Sequence, residues 1–158
     1  SLAGQNQKYL YDQLVYFVNG ERENALMTAV IPYLKTLSSD ELFDIAAFYA
    51  ESSASVGQAD SDVDLLALGE SLYRAGDLSR GIPACTACHS LYGEGNIQAG
   101  FPKISGQQKG YLISTLKEYR SQSRNAGNYA LVMQAASANL KDDDIEALAN
   151  YMHGLYRK

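Results

Sequence analysis

Five consecutive residues, Cys85-Thr86-Ala87-Cys88-His89, hold both cysteines and one of the two histidines of the 158-residue chain. Two thiols a short turn apart can add to the two vinyl groups of one porphyrin as thioethers. The next residue then falls beneath the iron, so the C-x-x-C-H spacing predicts covalent haem c at Cys85 and Cys88 with His89 as proximal ligand. Other chemistries of a cysteine pair need more than the chain offers. A structural zinc site wants four ligands, and beyond this motif only His153 remains. A thioredoxin-like pair expects a βαβ setting, and a disulfide across two intervening residues closes a loop too small to stabilise much.

An electron-transfer iron calls for a second strong ligand, and Met opposite His is the pairing that raises the potential. The chain has three methionines. Met152 falls on the apolar face of the last helix, and Met27 belongs to the first copy of an internal repeat. Met133 follows His89 by 44 residues, in the connection before the last helix. Elimination points to Met133 as distal ligand; an open iron, or one ligated by His153, is the alternative. Pro102 offers a rigid turn whose carbonyl could accept the second N–H of His89, a bond that fixes the imidazole tautomer. A plain loop proline is the other reading.

The elements that must position these groups are helical. Apolar residues recur at the 3.6-residue period over Gln7–Val18, Ser38–Ala50, Val63–Tyr73, Gln107–Ser121 and Asp142–Leu155, and strand signals are nearly absent. Ser38 and Glu41 form a capping-box pattern. Residues 51–62, ESSASVGQADSD, read as a linker, and the stretch 74–106 holds six of the 13 glycines. The chain is therefore expected to be all-α. Leu2-Ala3-Gly4-Gln5 with Tyr9-Leu10 and Leu14 recurs as Ile104-Ser105-Gly106-Gln107 with Tyr111-Leu112 and Leu116, at an offset of 102, and Arg22 matches Arg124. After a one-residue slip, Leu37 and its helix match Leu140 and the last helix.

Composition narrows the partners. The 13 Lys+Arg against 18 Asp+Glu give a net charge of −5, which argues against nucleic acid. No run of about 18 apolar residues is present to span a membrane. No basic segment followed by an apolar one opens the chain, so any export signal is expected to have been removed already. Residues 38–70 carry eight acidic and no basic side chains, whereas 101–125 carry five basic and one acidic. Such a dipole could orient the molecule on its partners.

Gly69-Glu70-Ser71-Leu72-Tyr73, Gly81-Ile82-Pro83-Ala84-Cys85-Thr86-Ala87-Cys88-His89 and Gly100-Phe101-Pro102-Lys103-Ile104-Ser105-Gly106-Gln107 resemble the second domain of two-haem cytochromes c4. Tyr111-Leu112, Arg124 and Met133, seven residues before Leu140, extend the likeness over residues 63–158. Residues 1–50 resemble the latter half of the first domain, without its C-x-x-C-H. The resemblance implies class I cytochrome domains in a tandem pseudo-twofold pair, here with the first copy incomplete, each domain with a His/Met haem. It implies a periplasmic electron carrier rather than an enzyme. Redox partners would be a terminal oxidase, a reductase or a flavoprotein, and peripheral membrane association stays open. Met27, five residues after Arg22, would be the distal ligand of a first haem, and Tyr111 and Arg124 would contact propionates. One covalent haem is expected in this chain, and a second if a full first domain exists, so that these residues would be part of a longer two-haem protein. The cytochrome subunits of flavocytochrome sulfide dehydrogenases look similar, and a gas-binding or peroxidase-like haem protein would share the motif with an open distal site.

Overall fold

The computed structural model describes residues 1–157 and contains eight α-helices and no strand among them. Helix α1 (Gln7–Asn19) starts where the Asn6 side chain accepts the N–H groups of Lys8 and Tyr9, and stops at left-handed Gly20. A short α2 (Ile31–Leu34) has proline in its first turn, where no N–H is missed. The capping box of Ser38 and Glu41 is formed, and it opens α3 (Ser39–Glu51). Asp62 caps α4 (Val63–Ala75). There follow α5 (Thr86–His89), α6 (Lys109–Arg120), α7 (Ala130–Ser137) and α8 (Asp142–Gly154).

The repeat survives in three dimensions. Helix α6 begins at α1 shifted by the offset of the sequence repeat, and α8 begins one residue beyond that offset from α3, the slip seen in the sequence. Gly4 N–H bonds to Tyr49 O at 2.8 Å, and Gly106 N–H to Met152 O at 3.0 Å, the same bond in each copy. In the second copy α4 and α6 pack on α8 around Leu72, Tyr73, Ile82, Leu112, Ile145 and Leu148. Met152 is part of this core, as its place on the apolar face predicts. In the first copy α1 packs on α3 through Leu10, Phe17, Leu42 and Ala46, while Phe48 is 68% exposed.

Two expectations change. Met133 lies not in a loop but in α7, an eight-residue helix too short to show a periodic pattern. Residues 52–62 are extended yet anchored: Asp60 N–H bonds to Asn150 Oδ1 at 2.8 Å, and Lys109 Nζ pairs with Asp60 Oδ2 at 2.7 Å. The segment runs beside both repeat glycines, since a Cβ on Gly4 would meet Ala54 Cβ at 2.6 Å and one on Gly106 would meet Ser55 O at 2.7 Å.

Candidate functional site

The C-x-x-C-H residues form one helical turn. His89 N–H bonds to Cys85 O at 3.0 Å, so Cys85, Cys88 and His89 stand at i, i+3 and i+4 and share a face. That geometry lets two sulfurs and an imidazole address one flat group. The cysteines are not joined to each other. No group of three His, Cys, Asp or Glu side chains fit to hold a metal ion occurs among the described residues. Burial pushes the Cys85 thiol up to about 11, so as a free thiol it would stay protonated.

His89 is buried, and its Nδ1 lies 2.9 Å from Pro102 O, the contact anticipated for that proline. Burial lowers the His89 pKa and the Pro102 bond works against it, leaving a neutral imidazole whose Nε2 can serve a metal. The turn behind His89 is held tightly. Ser90 takes a left-handed φ of 68°, and its carbonyl accepts the hydroxyl of fully buried Tyr73 at 2.7 Å. Gly95 N–H bonds to His89 O at 3.0 Å. A Cβ there would come within 2.6 Å of Pro102 O, and φ is +78°, so only glycine lets the loop pass this close.

Aromatic contacts connect His89 to the helix bearing Met133. The His89 ring is 6.4 Å from that of Phe101, and Phe101 packs edge-on to Tyr129 at 5.0 Å. Tyr129 is the N-cap of α7. Met133 and Cys85 pack against the same core cluster. Ser137, one turn after Met133 on that helix, has a buried Oγ without a hydrogen-bond partner. His153, the other imidazole, lies with Nδ1 2.8 Å from Gln107 O and flanks Gly57 of the extended segment. Paired thiols and a neutral imidazole on one helical turn form a donor set that fits haem c.

The remaining candidates lie elsewhere. Met27 sits half-buried in the turns before α2, apart from that core. Tyr111 and Arg124 stand where the two copies meet. Arg124, buried, donates to Tyr9 Oη at 3.0 Å, Gln13 Oε1 at 3.1 Å and Tyr111 Oη at 3.3 Å. Arg22 donates to Gln13 Oε1 at 2.7 Å and to Tyr111 Oη at 3.3 Å. Each arginine thus reaches the tyrosine of the other copy, as a twofold join requires. Burial works to raise the Tyr111 pKa, but the charges of Arg124 and Arg22 outweigh it and bring it down to about 8. Arg80, unremarked in the sequence, ties the turn before the motif to α8: it bonds Asp144 at 2.7 and 3.2 Å and Asp77 at 2.6 Å. Gln5 and Gln107 were visible only as repeat letters, and that repetition was their one signal.

The chain is similar to known proteins over nearly its whole length. Residues 66–155 match the family model for cytochrome c. A cytochrome c4 of Pseudomonas aeruginosa is 40% identical over 155 residues, covering 98% of this chain and 75% of its own. The crystal structure of reduced recombinant cytochrome c4 from Pseudomonas stutzeri superposes with a TM-score of 0.90 at 39% identity, covering 98% of this chain and 84% of that one. A thiosulfate dehydrogenase electron acceptor of Thiomonas intermedia is 33% identical, over 96% of this chain and 68% of its own. Class I helical fold, C-x-x-C-H turn and relatives converge: the chain belongs to the cytochrome c4 family, electron-transfer proteins with covalent haem c rather than enzymes.

Proposed function

We propose that the protein carries single electrons between redox proteins in the periplasm, through an iron ligated by His89 and Met133. The observation that carries this reading is the buried imidazole of His89, locked through Nδ1 to Pro102 O on the same turn as Cys85 and Cys88. Bound there, haem supplies a one-electron couple. The chain's part is to keep the ligands in place: Tyr73 and Gly95 hold the turn around His89, and α7 presents Met133 as a helical side chain. Two strong ligands held by packed elements change little between redox states, which keeps the electron-transfer barrier low.

In this reading residues 63–158 are a complete haem-bearing domain and residues 51–62 the strap that joins it to residues 1–50, the later part of a first domain. Met27 would serve a haem of that first domain, and Arg124 and Tyr111 would offer their donors to propionates at the join. Among the described residues no helix is long and apolar enough to cross a membrane. The likeness to a thiosulfate dehydrogenase electron acceptor supports a sulfur-oxidising dehydrogenase as one electron donor; reduction of the oxidised protein by such an enzyme with its substrate tests that donor.

The ligand assignment is tested by Met133→Ala. The oxidised parent should show the weak red charge-transfer band of a thioether sulfur on ferric iron, and the variant should lack it while both thioether bonds persist in the intact mass. A band that survives in the variant overturns the assignment.

A further inference from the structure

The two amides that open α1, Gln5 and Asn6, are buried, yet they belong to the other copy of the repeat from His89. Gln5 Oε1 accepts the N–H of Lys103 at 2.7 Å, and Gln5 Nε2 donates to Lys103 O at 2.8 Å. Asn6 Nδ2 donates to Phe101 O at 3.2 Å. These bonds grip the residues on either side of Pro102, whose carbonyl holds His89 Nδ1. The Pro102 C=O and the Lys103 N–H are opposite edges of one planar peptide unit. Fixing the N–H therefore fixes where the carbonyl points, and a hydrogen bond to the N–H polarises the carbonyl into a better acceptor.

We propose that Gln5 is a positioning residue for the iron ligand His89, acting across the join through the Pro102–Lys103 peptide, with Asn6 as its support. The inference rests on the reading of His89 as axial ligand. Strengthening the bond from His89 Nδ1–H to Pro102 O makes the imidazole more basic, which favours ferric over ferrous iron. The docking of one copy on the other thus holds down the potential of the haem at Cys85 and Cys88. The arrangement is reciprocal: Gln107, at the register of Gln5, accepts from Ser1 N through Oε1 and donates through Nε2 to Ser1 O at 2.9 Å. Gln107 does not touch the Pro102 peptide, so it supplies an internal control.

The test compares Gln5→Met, Asn6→Ser and Gln107→Met in the haem-loaded protein, all uncharged changes. Asn6→Ser keeps a helix cap but is too short to reach Phe101 O, so it carries the test if Gln5→Met does not fold. Spectroelectrochemistry reads the potential, and proton NMR of the ferrous state reads exchange of the His89 Nδ1–H. Gln5→Met should shift the ferrous/ferric equilibrium toward ferrous about threefold, a rise of about 28 mV at 59 mV per decade, with faster exchange of that proton. Asn6→Ser should shift it less in the same direction, and Gln107→Met should leave both readouts where they are. Unmoved readouts in Gln5→Met and Asn6→Ser, or an equal shift in Gln107→Met, overturn the proposal. A parent protein whose ferrous proton NMR shows no His89 ring protons shifted by the haem ring current would instead overturn the ligand reading.

Discussion

Replacing Gly69 by alanine sets helix propensity against packing. Gly69 lies inside α4, where alanine is favoured by about 0.8–1 kcal/mol if nothing else touches it. In the fold, α4 crosses α8 at this residue. A Cβ would stand 2.8 Å from both the Ala147 carbonyl carbon and Tyr151 Cβ, and closer still to the Ala147 oxygen. Carbon atoms rest about 3.5–4.0 Å apart, so the helices must separate by about 1 Å. These are backbone and helix-rooted atoms that cannot swing aside, and overpacking of this kind costs about 1–3 kcal/mol, sometimes more. The net loss of stability is about 0–2 kcal/mol, and at about 2–4 °C per kcal/mol for a chain of this size the Tm should fall by up to about 8 °C. Circular dichroism melts of the haem-loaded protein, parent against Gly69→Ala, read the difference. A Tm that rises would show that helix propensity wins and that the crossing is not tight.

Acid should weaken the Arg80 cluster. The Ser79 hydroxyl and the Arg80 guanidinium hold Asp77 down at about 2 from 3.8. Asp144 is also lowered, the Arg80 and Lys141 bonds outweighing the burial that works to raise it. A carboxylate depressed in the folded state contributes its full stability above the unfolded value and loses it as pH falls through the folded one. Urea midpoints should therefore drop between about pH 4 and pH 2, and Arg80→Met should flatten that drop; identical pH slopes would contradict the assignment. Tyr73→Phe removes the hydroxyl that holds Ser90 O and leaves that carbonyl only the Gly93 N–H at 3.4 Å, at about 1 kcal/mol in a denaturant titration; no change would mean that the Gly93 bond suffices.

Much of the chemistry was legible in the sequence because it is local. Cys85, Cys88 and His89 lie within one turn, so their spacing alone implies that they face one group. The long helices were legible because each buries one face and carries its period in the letters. The short ones were not: α5 and α7 span four and eight residues, less than the pattern needs, and they are held by tertiary contacts. Met133 was singled out as a residue while its helix went unseen.

The repeat of Gly-Gln-x-x-x-Tyr was equally plain as a pattern, but what it does was not. That Gln5 grips Lys103 and that Arg124 is buried against Tyr9 and Gln13 depend on residues about one hundred positions apart meeting face to face. The sequence alone determined the haem-attachment turn, the helical class and the duplication. The tertiary structure alone decided which polar side chains close the join and hold the carbonyl behind His89. Hydrogen bonds between distant segments leave no period in a chain, since they exist only where packing brings a buried donor to a buried acceptor.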